Sequence, residues 1–453
     1  MKNKYEIDMC NGALLSKILV FTLPLMASGI LQLLFNAADM VVAGRYAGSE
    51  ALGAVGATSS LINLITNVFM GLSVGANVAV AHYYGAQREE DMKETVHTAV
   101  LLSLICGVVV LFVGIFLASP ALSLMGTPHE LLPHAIAYMK IYFLGMPAML
   151  LYNFGAAILR AIGDTKRPLL FLLTAGVVNV ILNLVFVIKF GMGVKGVAYA
   201  TIISQTISAI LILRCMMQLD GPCKLIIKEL KIYSDKAKKI VRVGLPAGLQ
   251  GSIFSISNVL IQSSVNSFGA IAVAGNTATC NLEGFVYMAM NSFHQTAISF
   301  TGQNMGAKKA DRIKKTLLYC QICVIITGLV LGLLGYAFGN PLLHIYSDDE
   351  TVVAFGLRRM KIIFTTYFLC GTMDVCVGSL RGMGFSIMPM IVSLLGACGL
   401  RILWIFTVFK LNPTPEMLYI SYPISWGITT AVHLACYVIV ALPYIKKVCQ
   451  KAE

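Results

Sequence analysis

The decisive stretches are Leu159-Arg160-Ala161-Ile162-Gly163-Asp164-Thr165-Lys166-Arg167-Pro168 and Leu380-Arg381-Gly382-Met383-Gly384-Phe385-Ser386-Ile387-Met388-Pro389. They carry Leu-Arg, Gly and Pro at the same three places, 221 residues apart. The same shift takes Gly48 to Gly269, Gly85-Ala86 to Gly306-Ala307 and Lys140 to Lys361, while Leu23-Pro24 meets Leu245-Pro246 with one residue of slippage. Unrelated landmarks at one spacing mean that a single unit is used twice.

What the unit is follows from composition. The 453 residues are 57% hydrophobic and 12% charged, with mean hydropathy +0.80, too little polar material to cover a soluble surface of this size. A helix needs about 20 apolar residues to cross a bilayer. Such stretches are predicted near 17–44, 52–82, 95–119, 132–160, 168–190, 195–217, 241–265, 272–303, 313–338, 352–380, 387–409 and 417–444. The fold class is therefore all-α integral membrane, with twelve transmembrane helices in two pseudo-symmetric six-helix bundles. Six spans per copy place both copies in one orientation, related by a two-fold along the membrane normal. The expected partition is residues 1–218, a charged cytoplasmic linker 219–238, and residues 239–453. The linker reads either as an amphipathic surface segment or as a solvated connector.

The first sixteen residues are polar and lack the apolar core of a cleavable signal. With twelve spans, Lys2, Lys4, Lys17, Arg88, Lys93, Arg160, Lys166, Arg167, Arg214 to Arg242, Lys308 to Lys315, Arg381 and Lys446 to Lys451 fall on one side, 25 of the 34 basic residues. That side is expected to be cytoplasmic, so both termini lie inside a multi-pass protein of the cell membrane. The formal charge of +13 follows from this bias. Without aromatic interleaving it does not indicate nucleic acid.

Four ionisable residues fall within spans, where charge is costly and functional roles are the default: Asp39, Glu283, Asp374 and Arg401. Asp39 lies about five residues from the outer end of its span, ~8 Å deep. Asn179 and Asn183, at i and i+4, share one helix face at ~10–16 Å, and Thr201 arrives at ~10 Å. A carboxylate, two amides and a hydroxyl are hard oxygen donors that suit Na⁺, and the carboxylate alone could carry a proton. A purely structural Asp39 is the competing reading. Glu283 and Arg401 read either as a neutralising pair or as site residues. Pro24, Pro147, Pro246 and Pro423 fall inside spans, and Pro24 is the one singled out as a gating kink. The repeat does not preserve the acids: Asp39 maps on Leu260 and Asn179 on Leu400.

Leu23-Pro24 with Asp39 fifteen residues on, Ala43-Gly-Arg-Tyr-Ala-Gly48, Ala51-Leu-Gly-Ala-Val-Gly56, Gly85-Ala86, Leu159-Arg160-Ala-Ile-Gly-Asp164 and Gln303-Asn-Met-Gly-Ala307 together resemble the MATE (multidrug and toxic compound extrusion) exporters, in a MepA-like branch. The resemblance covers the whole chain. It implies a V-shaped pair of lobes that expels organic cations, drugs or related amphipathic compounds in exchange for Na⁺ or H⁺. It also implies that Asp39, Asn179, Asn183 and Thr201 form the cation or proton site, that Pro24 lets the first span bend, and that Asp374 belongs to a second site. The span-7 glutamate of NorM-type relatives is absent here, with Phe254 and Ser255 in that region; Glu283 could replace it.

No P-loop or nucleophile elbow is present, so neither an enzyme nor an ATP-driven pump is expected. No cofactor is expected beyond the coupling ion, Na⁺ or H⁺. The expected partners are small, cationic substrates and the lipid bilayer, with the protein a monomer. The alternative is a lipid-linked precursor flippase of the same superfamily, disfavoured because the buried ionisable set reads as mainly acidic. A non-transporting receptor is a more distant rival.

Overall fold

The structure, a computed structural model, describes residues 5–450; Lys2, Lys4 and Lys451 lie outside that range. Twelve long helices follow one another: α1 Leu14–Tyr46, α2 Ser49–Gly85, α3 Glu89–Leu124, α4 Leu132–Leu144 continuing as Met146–Ala161, α5 Lys166–Lys189 and α6 Gly193–Met217. The second copy supplies α7 Ser234–Asn266, α8 Ala270–Gly306, α9 Ala310–Ala337, α10 Glu350–Thr366 continuing as Phe368–Gly382, α11 Ile387–Phe409 and α12 Pro415–Cys449. Ten of them are long and apolar enough to cross a bilayer when each bent helix counts once. The remaining two, α7 and α8, reach 33 and 37 residues but carry more polar side chains.

The repeat extends to backbone conformation. Six of the eleven left-handed residues among those described fall in pairs 221 apart: Gly48 and Gly269 (φ 96° and 91°), Gly163 and Gly384 (100° and 96°), and the non-glycines Gln87 and Lys308 (54° and 55°). The last pair shows that the turn geometry is imposed by the fold, since a side chain at positive φ is disfavoured.

Packing divides the residues into two compact units that do not coincide with the repeats. One comprises the residues up to Ile7 with Ile30–Ser252, the other Asp8–Gly29 with Ile253 onward. The sequence partition at 219–238 follows the duplication, whereas the packing boundaries fall inside α1 and α7, at matching places in the two copies. The reason lies in the contacts of the helix starts. In the first unit α7 lies directly on α2. A Cβ on Gly71 would sit 2.1 Å from the Gly248 nitrogen, and one on Gly75 2.1 Å from the Ile240 oxygen. In the second unit the corresponding contact of α1 on α8 is a hydrogen bond, Thr22 Oγ1 to Thr296 Oγ1 at 2.8 Å. Glycine-on-glycine approach in one copy is replaced by a hydroxyl pair in the other, both recognised ways of holding helices in lipid.

The segments leading into these two helices are tied down as well. Residues 219–233 form a strap rather than a continuous helix, with the Ile226 amide donating to His97 Nε2 (3.1 Å) and the Tyr233 amide to Thr98 Oγ1 (3.1 Å) on α3. Ahead of α1, Lys309 donates to the Cys10 carbonyl (2.9 Å) and Arg312 to that of Met9 (3.0 Å).

Two helices are sharply bent, α4 by 48° and α10 by 45°. Pro147 lies just beyond the first bend, but its repeat partner is Phe368, so proline is not the shared cause. Both bends instead rest on a glycine of the preceding helix. A Cβ on Gly107 would meet Pro147 Cα at 2.5 Å, and one on Gly328 would meet Phe368 Cα at 2.8 Å. One further pair repeats the arrangement, with Gly114 under the ring of Phe143 and Gly335 under that of Phe364. Gly107→Ala and Gly328→Ala should each lose about 1–3 kcal/mol of stability through overpacking, whereas Pro147→Ala should cost less than either. Melting temperatures of the detergent-solubilised variants check this ordering, and glycine variants that melt with the wild type refute it.

Candidate functional site

In the first unit the site starts from a steric contact. The ring of Phe35 on α1 occupies the place of a side chain at Gly176 on α5, where a Cβ would fall 1.8 Å from the ring. One turn further along α1 comes Asp39, and one and two turns along α5 come Asn179 and Asn183. This docking brings the Asn183 amide nitrogen into a hydrogen bond with Asp39 Oδ1. The same nitrogen also donates to Asn179 Oδ1 at 3.2 Å. Both asparagines are buried, Asp39 is half-buried, and the buried Asn183 Oδ1 has no hydrogen-bond partner. Three of the four predicted side chains are therefore brought together. Thr201 is not joined to them: its hydroxyl donates to the Val197 carbonyl of its own helix at 2.9 Å. Two tyrosines that the sequence reading did not single out, Tyr138 and Tyr142 on α4, lie within electrostatic reach of Asp39. Their rings stack at 5.9 Å, and Tyr142 is hydrogen-bonded to Gln205 of α6.

In the second unit the expected pairing of Glu283 with Arg401 is not found. Glu283 on α8 instead forms a two-pronged pair with Arg359 on α10, Nε to Oε1 at 2.7 Å and Nη2 to Oε2 at 2.8 Å. Arg359 Nη1 donates to Asn276 Oδ1 at 2.8 Å. A guanidinium fork matches both carboxylate oxygens at once, and α10 packs beside α8, which brings the two side chains within reach. Arg401, on α11, donates Nε to Ser425 Oγ at 2.8 Å and lies over the rings of Tyr422 (4.2 Å) and Trp426 (5.3 Å). Asp374 is half-buried, hydrogen-bonded to Tyr287 and within reach of Arg381, while its carbonyl is 2.6 Å from His294 Nδ1. Arg381 itself is 6% exposed.

The two clusters occupy the same place in their repeats. The 221-residue shift takes Tyr138 to Arg359, Thr201 to Tyr422 and Gln205 to Trp426, so α4 and α6 in one copy, α10 and α12 in the other, line equivalent niches. Among the described residues no three His, Cys, Asp or Glu side chains converge as a transition-metal site would require. What the first niche offers is a carboxylate surrounded by amide and hydroxyl groups, suited to a proton or a hard monovalent cation. The second offers guanidinium groups on aromatic faces.

Breaking the buried Glu283 pair leaves an uncompensated charge, which typically costs about 3–5 kcal/mol. Glu283→Gln and Arg359→Gln should each lower the melting temperature sharply, and the Glu283→Leu, Arg359→Met double variant should regain most of the loss. Adding Arg401→Gln to Glu283→Gln should not. Rescue by Arg401→Gln would reinstate the pairing that the geometry contradicts.

The MatE family profile matches the chain twice, over residues 24–185 and 246–407. The Probable multidrug resistance protein YoeA of Bacillus subtilis is 27% identical over 418 residues, covering 90% of each chain. The Multidrug export protein MepA of Staphylococcus saprophyticus is 21% identical over 80% of each. A solved MOP superfamily transporter from Pyrococcus furiosus is similar in fold, with TM-score 0.92 at 21% identity, covering 98% of this chain and 100% of that one. The doubled helical unit and the doubled profile match coincide, and the chain belongs to the MATE family of membrane transporters.

Proposed function

We propose that the chain is an antiporter, coupled to Na⁺ or H⁺, that exports drugs or related amphipathic metabolites across the cytoplasmic membrane by alternating access, with both termini on the cytoplasmic side. The observation that carries this reading is the Asp39, Asn183 and Asn179 cluster on α1 and α5. With Asn183 donating to Asp39, the cluster has the form suited to an unloaded carboxylate. Loading it with a proton makes the carboxyl a donor and calls for the free Asn183 Oδ1 as acceptor. Loading it with Na⁺ calls for the same oxygen as ligand. A protonated carboxyl can donate to that oxygen while still accepting from the Asn183 amide nitrogen, closing a two-bond pair between α1 and α5, whereas Na⁺ requires the amide to turn its oxygen toward the ion. The Thr201 hydroxyl supplies spare lone pairs on the facing helix.

The consequence is transmitted along α1. Its first half packs in one unit and its second half, with Asp39, in the other. Pro24 leaves the helix one backbone hydrogen bond short just ahead of that boundary, which makes bending there easier. Occupancy of Asp39 and occupancy by cargo then bias the same equilibrium in opposite directions, and exchange follows from the inward ion gradient.

Organic cations remain within the proposed range, but charge does not single them out. The acids Asp39, Glu283 and Asp374 are equalled in number by the arginines Arg359, Arg381 and Arg401, all at most half-exposed. In proteoliposomes with imposed Na⁺ or H⁺ gradients and a panel of amphipathic dyes, wild-type protein should drive efflux with one of the two gradients. Asp39→Asn should lower that rate at least tenfold while keeping the wild-type elution profile in detergent. Gradient-driven efflux at the wild-type rate in Asp39→Asn would remove the proposed role.

A further inference from the structure

Arg401 is 5% exposed, and it is the guanidinium of the second unit that neither niche geometry nor pairing accounts for. Of its five N–H groups, Nε is used on Ser425, while Nη2 is buried and has no hydrogen-bond partner. Its electrostatic neighbours are Tyr422, Cys370, Cys398 and Tyr367, none of them a carboxylate, and no ion pair to it occurs among the described residues. The carboxylates nearby are engaged elsewhere. Both oxygens of Glu283 are taken by Arg359, and Asp374 is held by Tyr287 with Arg381 in reach. Arginine does not shed its proton, so one positive charge remains uncompensated in the interior of this unit.

The surroundings favour an oxyanion as its partner. Tyr422 and Trp426 cover the face of the planar guanidinium and shield it from water, leaving the N–H edge as the binding direction; that edge matches two oxygens of a carboxylate or phosphate. A third ring, Tyr367, packs on Trp426 at 5.4 Å. The first unit has nothing equivalent: the shift takes Arg401 to Val180, Tyr422 to Thr201 and Trp426 to Gln205. One niche therefore carries an unmatched acid and the other an unmatched base.

We propose that Arg401, backed by Tyr422 and Trp426, receives an anionic group of the transported molecule, a carboxylate or a phosphate. The second unit then selects cargo bearing at least one such group, while the first handles the coupling cation. This rests on the transport reading above and narrows its substrate class. Entry requires a conformation in which Tyr422 or Trp426 turns aside, since Nη2 is covered.

The chain has two tryptophans, and Trp404→Phe leaves Trp426 as the single reporter beside Arg401. The test is fluorescence titration of this full-length variant in lipid nanodiscs with four probes of similar size: benzoate, phenyl phosphate, benzylamine and benzyl alcohol. A saturable change is expected with benzoate or phenyl phosphate, and the stronger of the two identifies the preferred oxyanion. None is expected with the amine or the alcohol. Arg401→Gln should weaken the anion response at least tenfold, and Arg401→Lys should retain part of it. Equal response to charged and neutral probes, or unchanged affinity in Arg401→Gln, overturns the proposal. Should Arg401→Gln fail to fold, the charge selectivity of the parent variant alone decides. Absence of anion binding alongside gradient-driven efflux sinks this inference and leaves the antiport reading standing.

Discussion

Lipid tails are as apolar as leucine, so helices inside a bilayer are not driven together by exclusion from solvent. They must be held by close backbone approach and by hydrogen bonds. This protein meets that constraint with glycines placed where one helix crosses another. Gly71 and Gly75 admit α7, Gly107 and Gly328 seat the two bends, and Gly176 receives the ring of Phe35. Everything that positions the polar groups depends on these approaches. Without the Phe35 contact at Gly176, Asp39 would not meet Asn183. Without the seated bend in α10, Arg359 would have no fixed height opposite Glu283.

The same constraint explains why duplication preserved the frame and released the chemistry. A glycine under a bend has no substitute, since any Cβ collides with backbone, and so it recurs 221 residues later. A polar side chain facing a niche meets other side chains, which can change together. Tyr138, Thr201 and Gln205 in one copy stand where Arg359, Tyr422 and Trp426 stand in the other, and the acid facing the niche is on α1 in the first copy and on α8 in the second. The protein thus holds a carboxylate against amides in one unit and guanidinium groups against rings in the other.

Much of the frame was legible in the sequence because its markers are residues with few alternatives: the paired glycines, prolines and Leu-Arg dipeptides, and apolar runs of spanning length. Asn179 and Asn183 were legible through helical spacing. Other features left no local trace. Arg358-Arg359 reads as a basic pair near a helix start, yet Arg358 is largely exposed and paired loosely with Glu416 at 3.8 Å, whereas Arg359 is 3% exposed. One-dimensional hydropathy does not separate the two. The bend in α10 lacks a proline and comes from Gly328 on another helix. That α1 and α7 divide between units is a fact of packing partners, which apolar composition does not encode. The recurrence of Gly107 and Gly114 at 328 and 335 was the available signal for the bends.

The central claim is that ion exchange belongs to the first unit and not to its diverged copy. The direct measurement is cation release from the purified full-length protein when an amphipathic dye is added, read as protons in weak buffer or as radioactive sodium, in wild type, Asp39→Asn and Asp374→Asn. The account predicts release in wild type and in Asp374→Asn, and none in Asp39→Asn. Release retained in Asp39→Asn and lost in Asp374→Asn would place coupling in the wrong unit and contradict it.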